Sequence, residues 1–147
     1  MALRDIAFFN EDLDYTIKHK QKLREWIGFT IKAEGFTRIG ELNFIFCSDE
    51  YLLSINQQYL QHDTYTDIVT FDSSEEESTI SGDIFISVER TRENASKFAV
   101  SEEDELHRVI IHGVLHLCGY LDKNKEGKAL MTEKENTYLA KRHFVTA

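Results

Sequence analysis

The pattern of apolar and polar positions along the chain predicts nine secondary-structure elements. Four segments rich in β-branched and aromatic residues are typical of strands: DIAFFN (5–10), ELNFIFCS (41–48), TDIVTFD (66–72) and ISGDIFIS (80–87). Five segments have the spacing of amphipathic helices: 15–34, 51–59, 87–98, 102–118 and 126–144. The order β-α-β-α-β-β-α-α-α predicts an α+β fold with a four-stranded mixed sheet packed against about five helices.

Length and composition are those of a globular protein inside the cell. The chain has 147 residues, of which 41% are hydrophobic, and this predicts one domain over residues 1–147. No apolar run is long enough to span a membrane, and the first residues lack the apolar core of a signal peptide, so we expect a cytoplasmic protein. Cys47 and Cys118 lie within apolar segments, which favours reduced, buried thiols. A net charge of −9 argues against non-specific coating of nucleic acid but allows a local binding site.

The predicted helix 102–118 carries the candidate chemistry. His112 and His116 are four residues apart, so both imidazoles project from one face of the helix. The rest of this helix is apolar nearly all round, which predicts a central position in the fold. Buried histidine nitrogens need partners, and either a metal ion or backbone carbonyls would satisfy them. His107 and Cys118 point to the opposite side. We expect His107 to lie at the surface or to pack there, and Cys118 to be a small buried hydrophobic residue.

A glycine turn follows the two histidines. Gly119 can adopt the left-handed conformation that ends a helix, and this would return Asp122 toward the histidine face. Two imidazoles and one carboxylate are ligands that zinc accepts, and three protein ligands leave a fourth position open for catalysis. The alternative is that Asp122 only begins the polar turn DKNKEG.

The run HGVLHLCGYLD (112–122) resembles the H-G-x-L-H-L-x-G-Y-D-H signature of the YbeY family of metal-dependent endoribonucleases. YLQHDTYTDIVTFD (59–72) and SGDIFIS (81–87) resemble two further segments of that family, and Glu105 stands where the family usually has a glutamate. The resemblance implies a single-strand-specific endoribonuclease that matures the 3′ end of small-subunit ribosomal RNA and acts in ribosome quality control. It also implies one Zn²⁺ per chain, RNA and the ribosome or small-subunit proteins as partners, and no membrane association; we assume a monomer.

Two positions depart from the family pattern. Asp122 stands in place of the third metal-binding histidine, and the added negative charge shifts the metal preference toward harder divalent ions. Leu60 stands in place of an arginine expected to contact the substrate phosphate. Arg108, four residues before His112, can reach an anion near the metal; the alternative is that it pairs with Asp104.

The Thr66–Asp67 pair is a further candidate for a role in the site. Thr66 and Asp67 match a Thr-Asp pair of the family, and they either hold the backbone or orient a ligand histidine. Two other functions stay open. One is a metalloprotease-like hydrolase, which Gly113 disfavours because the H-E-x-x-H motif needs glutamate there; the other is a non-enzymatic ribosome-associated factor in which the metal is structural or vestigial. The other histidines are assigned no metal: His19, His62 and His143.

Overall fold

The computed structural model describes residues 2–60 and 65–144. Its strands are β1 (Ile6–Asn10), β2 (Arg38–Cys47), β3 (Ile68–Asp72) and β4 (Thr79–Ser87). Its α-helices are α1 (Lys20–Ala33), α2 (Asp49–Leu60), α3 (Val88–Lys97), α4 (Glu102–Leu117) and α5 (Lys125–Leu139). The predicted order of nine elements and the α+β class are therefore confirmed. His62 lies outside the described residues.

The four strands form one mixed sheet in the order β1-β2-β4-β3. Strand β2 pairs in parallel with both β1 and β4, and β3 pairs antiparallel with β4. The acidic connection between β3 and β4 therefore closes a hairpin. The parallel pairs need crossover connections, and α1, α2 and the β3 hairpin lie within them.

Alternate residues of the strands are buried on opposite faces of the sheet. The larger cluster includes Phe44, Ile84 and Ile86 and joins the sheet to α1 and α4. A smaller cluster on the opposite face joins Cys47 and Val69 to α2. Helix α4 has ten buried residues, which confirms its central position.

Two helices are shorter than the apolar pattern predicts. Helix α1 begins at Lys20, not at residue 15, because His19 has a left-handed backbone (φ 63°) that no helix continues through. Helix α5 ends at Leu139, and Phe144 beyond it packs as part of the loop against Trp26 and His107. Apolar residues at helical spacing can thus belong to a loop that covers the core.

Candidate metal centre

Helix α4 begins with a capped, acidic first turn. The Ser101 hydroxyl accepts a hydrogen bond from the Asp104 amide at 3.0 Å, and four acidic residues occupy the first turn, where the helix dipole favours negative charge. The helix then runs through the core to His112 and His116, whose side chains are each 22% exposed. Their Nε2 atoms lie 3.0 Å apart, as expected for one helical face.

The turn after α4 brings a carboxylate to the same point. Gly119 has φ 107°, and the Tyr120 amide donates back to the Leu115 carbonyl at 3.1 Å, which reverses the chain direction. Asp122 Oδ2 consequently lies 3.5 Å from His112 Nε2 and 3.6 Å from His116 Nε2. The structure therefore brings together the three residues that the sequence singled out as metal ligands.

The other nitrogen of each imidazole is held from outside the cluster. His116 Nδ1 lies 2.9 Å from the Tyr120 carbonyl oxygen, which can only accept, so this nitrogen carries the proton. His112 Nδ1 lies 2.6 Å from Glu135 Oε2 on α5 and donates to that carboxylate. In their neutral form both rings therefore present an Nε2 lone pair toward the shared point.

The spacing of the three ligand atoms suits a tetrahedral ion. Zinc ligands at about 2.0–2.1 Å in tetrahedral positions lie about 3.3 Å from one another. The observed distances of 3.0, 3.5 and 3.6 Å bracket that value. The donor set of two imidazole nitrogens and a carboxylate oxygen would thus fit a divalent cation.

The cleft beside these three residues is acidic. It has a volume of about 470 Å³, and its lining includes the carboxylates of Asp67, Glu105, Asp122 and Glu135. Burial raises the pKa of Asp67, and burial followed by the charge of Asp67 raises the pKa of Glu105. Burial lowers the pKa of His112, but the hydrogen bond and charge of Glu135 outweigh it, with Asp122 adding to them, and the net shift is upward. The site therefore favours positive charge.

Arg108 lines the cleft but does not pair with Asp104. Its Nη1 donates to Glu135 at 2.8 Å and its Nη2 donates to Asn136 at 2.7 Å. Asp104 pairs instead with Arg142 at 3.0 Å. The expected i−4 pair is therefore wrong, because α5 packs beside α4 and offers Arg108 a more buried acceptor. Among the described residues that line this cleft, Arg108 is the one arginine or lysine.

Thr66 and Asp67 lie at the entrance to β3, on the wall of the same cleft. The Thr66 hydroxyl donates to the Ile68 carbonyl at 3.3 Å, and the Asp67 carbonyl accepts from the Ser87 amide at 3.0 Å. The Asp67 carboxyl lies near enough to His112 to influence its pKa. The carboxylate bonded to His112 Nδ1 is nevertheless Glu135, a residue that the sequence did not single out.

Gly113 faces the sheet rather than the cleft. A Cβ atom added at this position would lie 2.8 Å from Ile68 Cδ1 and 3.0 Å from Ile84 Cγ2. A glutamate here would require the side chains of Ile68 and Ile84 to move. Leu60, at the end of α2, is 41% exposed and supplies no positive charge.

The comparisons with known proteins agree with this architecture. Residues 5–143 match the family model described as endoribonuclease YbeY. The chain belongs to the endoribonuclease YbeY family. It is 49% identical to endoribonuclease YbeY of Cytophaga hutchinsonii over 144 aligned residues. The alignment covers 98% of this chain and 100% of that protein. It is 51% identical over 123 residues to endoribonuclease YbeY of Bacteroides thetaiotaomicron, which covers 84% of this chain and 88% of that protein.

A solved structure has the same fold. The solution structure of TM1509 from Thermotoga maritima aligns with a TM-score of 0.63 and 30% sequence identity, over 91% of this chain and 86% of that one. Within the two described ranges of this YbeY-family chain, no helix is both long and apolar enough to cross a membrane. Cys47 and Cys118 are free thiols, and burial raises the pKa of each to about 12, so both are unreactive.

Proposed function

We propose that this YbeY-family chain is a metal-dependent endoribonuclease that cleaves single-stranded ribosomal RNA. His112, His116 and Asp122 hold one zinc or a related divalent ion in this proposal. The observation that carries it is the convergence of two Nε2 lone pairs and one carboxylate oxygen on a single point. Membership in the endoribonuclease family supplies the reaction class.

The tautomers of the two histidines support a bound cation. Each Nδ1 already donates, to Glu135 or to the Tyr120 carbonyl, so the two Nε2 lone pairs face each other at 3.0 Å. Two lone pairs at that distance repel unless a proton or a metal ion lies between them. Asp122 adds a negative charge to the same point, which further favours a divalent ion over a single proton.

A bound cation would also offset the negative charge of the cleft and allow a phosphate group to enter. A bound divalent cation supplies Lewis-acid chemistry that polarises a phosphoryl oxygen of the RNA backbone. Four carboxylates and one arginine line the cleft, so without added positive charge it would repel a phosphodiester. Arg108 is 35% exposed, and its remaining N–H groups are available to a phosphate oxygen, which we propose as its contact with substrate.

The structure does not favour the two other functions weighed above. A metalloprotease of the H-E-x-x-H type needs a glutamate next to the first histidine, and position 113 is a glycine packed against Ile68 and Ile84. A non-enzymatic factor with a structural metal would use the same histidine tautomers, and the argument against it is that the family and its relatives are named endoribonucleases.

The activity is tested with purified protein and a labelled single-stranded fragment from the 3′ end of small-subunit ribosomal RNA. We expect cleavage that chelator abolishes, that added zinc restores and that His116→Ala loses. The matched control is His19→Ala, because His19 is exposed and lies outside the cleft. Cleavage that survives both chelator and His116→Ala would refute the proposal. A 2′,3′-cyclic phosphate end on the product would identify the RNA 2′-hydroxyl as the nucleophile.

The ligand set is tested by metal analysis of protein purified without chelator. We expect near-stoichiometric metal in the parent and in Asp122→His, and little in His112→Ala. Thermal melts must first show each variant folded, because His112 lies on the central helix. If Asp122→Ala keeps the parent's metal affinity, Asp122 is a turn residue and not a ligand.

The cellular setting is also part of the proposal. We place the chain in the cytoplasm as a monomer that acts on ribosomal RNA in association with the ribosome or small-subunit proteins. Two free thiols and an RNA substrate support that location. Light scattering tests the monomer. Co-sedimentation tests the association, and we expect this chain to be enriched with small ribosomal subunits relative to an unrelated acidic protein of the same size.

A further inference from the structure

Helix α5 buries a carboxylate against the metal centre. Glu135 is 6% exposed, and a glutamate is almost never buried to this extent unless its carboxylate has partners. Its two oxygens are used separately: Oε2 accepts from His112 Nδ1 at 2.6 Å, and Oε1 accepts from Arg108 Nη1 at 2.8 Å. Arg108 is itself fixed by a second bond, from Nη2 to Asn136 at 2.7 Å. The carboxylate is therefore held at a defined position relative to one imidazole.

The Glu135 carboxylate fixes the tautomer of His112, as the Tyr120 carbonyl fixes the tautomer of His116. Each acceptor binds Nδ1–H and leaves Nε2 as the lone pair available to an ion. The acceptors differ in charge, because Glu135 is an anion and a carbonyl is neutral. An anionic acceptor increases the basicity of the imidazole and so strengthens its bond to a cation.

We propose that Glu135 is a positioning residue of the metal centre, acting through His112, and that Arg108 holds Glu135 in place. This inference rests on the proposed function, since it assumes that His112 ligates the ion. It assigns α5 a role in catalysis although α5 contributes no ligand of its own. Carboxylates in this position commonly change metal affinity by about 10–100-fold when removed.

A purely structural role is the competing explanation. An Arg108–Glu135 ion pair joins α4 to α5 and would stabilise their packing even if no metal were bound. Removing it would lower stability but would not change the tautomer of His112 or the affinity for metal. The two explanations therefore differ in measurements other than stability.

The test uses the full chain with Glu135→Gln and Glu135→Leu. Glutamine keeps an oxygen that can accept from Nδ1 but removes the charge, whereas leucine removes the acceptor. We expect zinc affinity, measured by competition with a chromophoric chelator, to fall about 10–100-fold in Glu135→Leu and by less in Glu135→Gln. Glu133→Gln is the matched control, because it makes the same charge change at an exposed position of α5.

The second measurement needs no metal. Nitrogen-15 shifts of the imidazoles in chelator-treated protein, at a pH that keeps the rings neutral, report which nitrogen carries the proton. We expect His112 to become a mixture of tautomers in Glu135→Leu, while His116 stays protonated on Nδ1. If zinc affinity and the His112 tautomer are unchanged in folded Glu135→Leu, the inference is wrong. If the parent itself binds no divalent metal, the proposed metal centre fails first, and with it this role for Glu135.

Discussion

Acid is expected to destabilise this protein through His107, a histidine outside the metal centre. His107 lies on α4, is 1% exposed, and packs between the rings of Trp26 and Phe144 at centroid distances of 5.8 and 5.6 Å. Arg142 Nη1 donates to His107 Nδ1 at 2.7 Å, so the ring is neutral and an added proton would face a guanidinium. Burial, followed by the charge of Arg142, lowers the pKa of His107 to about 4.

The size of the effect follows from proton linkage. A histidine in the unfolded chain has a pKa near 6.5, so below that pH the unfolded state binds a proton that the folded state excludes. The contribution of neutral His107 to stability is complete above about pH 6.5 and is lost as the pH falls toward 4. At about 1.4 kcal/mol per pH unit, the loss is about 2 kcal/mol by pH 5 and about 3 kcal/mol at its limit.

The perturbation is His107→Gln, which keeps an oxygen acceptor for Arg142 and removes the titration. Urea unfolding of parent and variant, from pH 8 to pH 4 in chelator, gives the free energy of unfolding of each. We expect the parent to lose about 2 kcal/mol more than the variant between pH 8 and pH 5. Effects of the carboxylates and of His112 cancel in this difference. His143→Gln controls for an exposed histidine; His19 is unsuitable because its charge contributes to the lowered pKa of His107. Parallel pH curves for parent and His107→Gln would refute the reasoning.

Three other changes have defined outcomes. Gly113→Ala should lower the free energy of unfolding by about 1–3 kcal/mol in urea titrations, because its Cβ would lie 2.8 Å from Ile68 Cδ1 and 3.0 Å from Ile84 Cγ2. An unchanged midpoint would show that these two side chains move aside without cost. Tyr120→Phe removes the hydroxyl that donates to Glu34 at 2.5 Å, and melts should show a loss of about 1–3 kcal/mol while metal content is kept, since the histidine contact is to the Tyr120 backbone. Because burial raises the pKa of Asp67, Asp67→Asn in chelator should be more stable than the parent at pH 7. Urea titrations should show this gain shrinking as the pH falls through the raised pKa and vanishing below the ordinary aspartate pKa; a gain that does not change with pH would contradict the explanation.

The local sequence pattern determined the order of the elements and the placement of His112, His116 and Asp122. The order of elements follows from period-2 and period-3.6 spacing, which each segment carries by itself. His112 and His116 share a face because helical geometry places residues four apart together, and Gly119 ends α4 because it can adopt a positive φ. The approach of Asp122 also depends on a short turn, so a sequence of eleven residues, 112–122, contains the whole ligand cluster.

Contacts between distant segments decided the rest. Glu135 is 23 residues from His112 along the chain, and Arg142 is 35 from His107, so neither pairing leaves a periodic signal. Arg108 had an acceptable partner at i−4, but the packing of α5 against α4 offered Glu135, and the buried pair formed instead. Residue types and local spacing therefore located the candidate metal centre, whereas helix packing determined which groups fix the histidine tautomers and the charge of the site. The reason is that burial and electrostatics depend on every element that meets at a site and not on one segment alone.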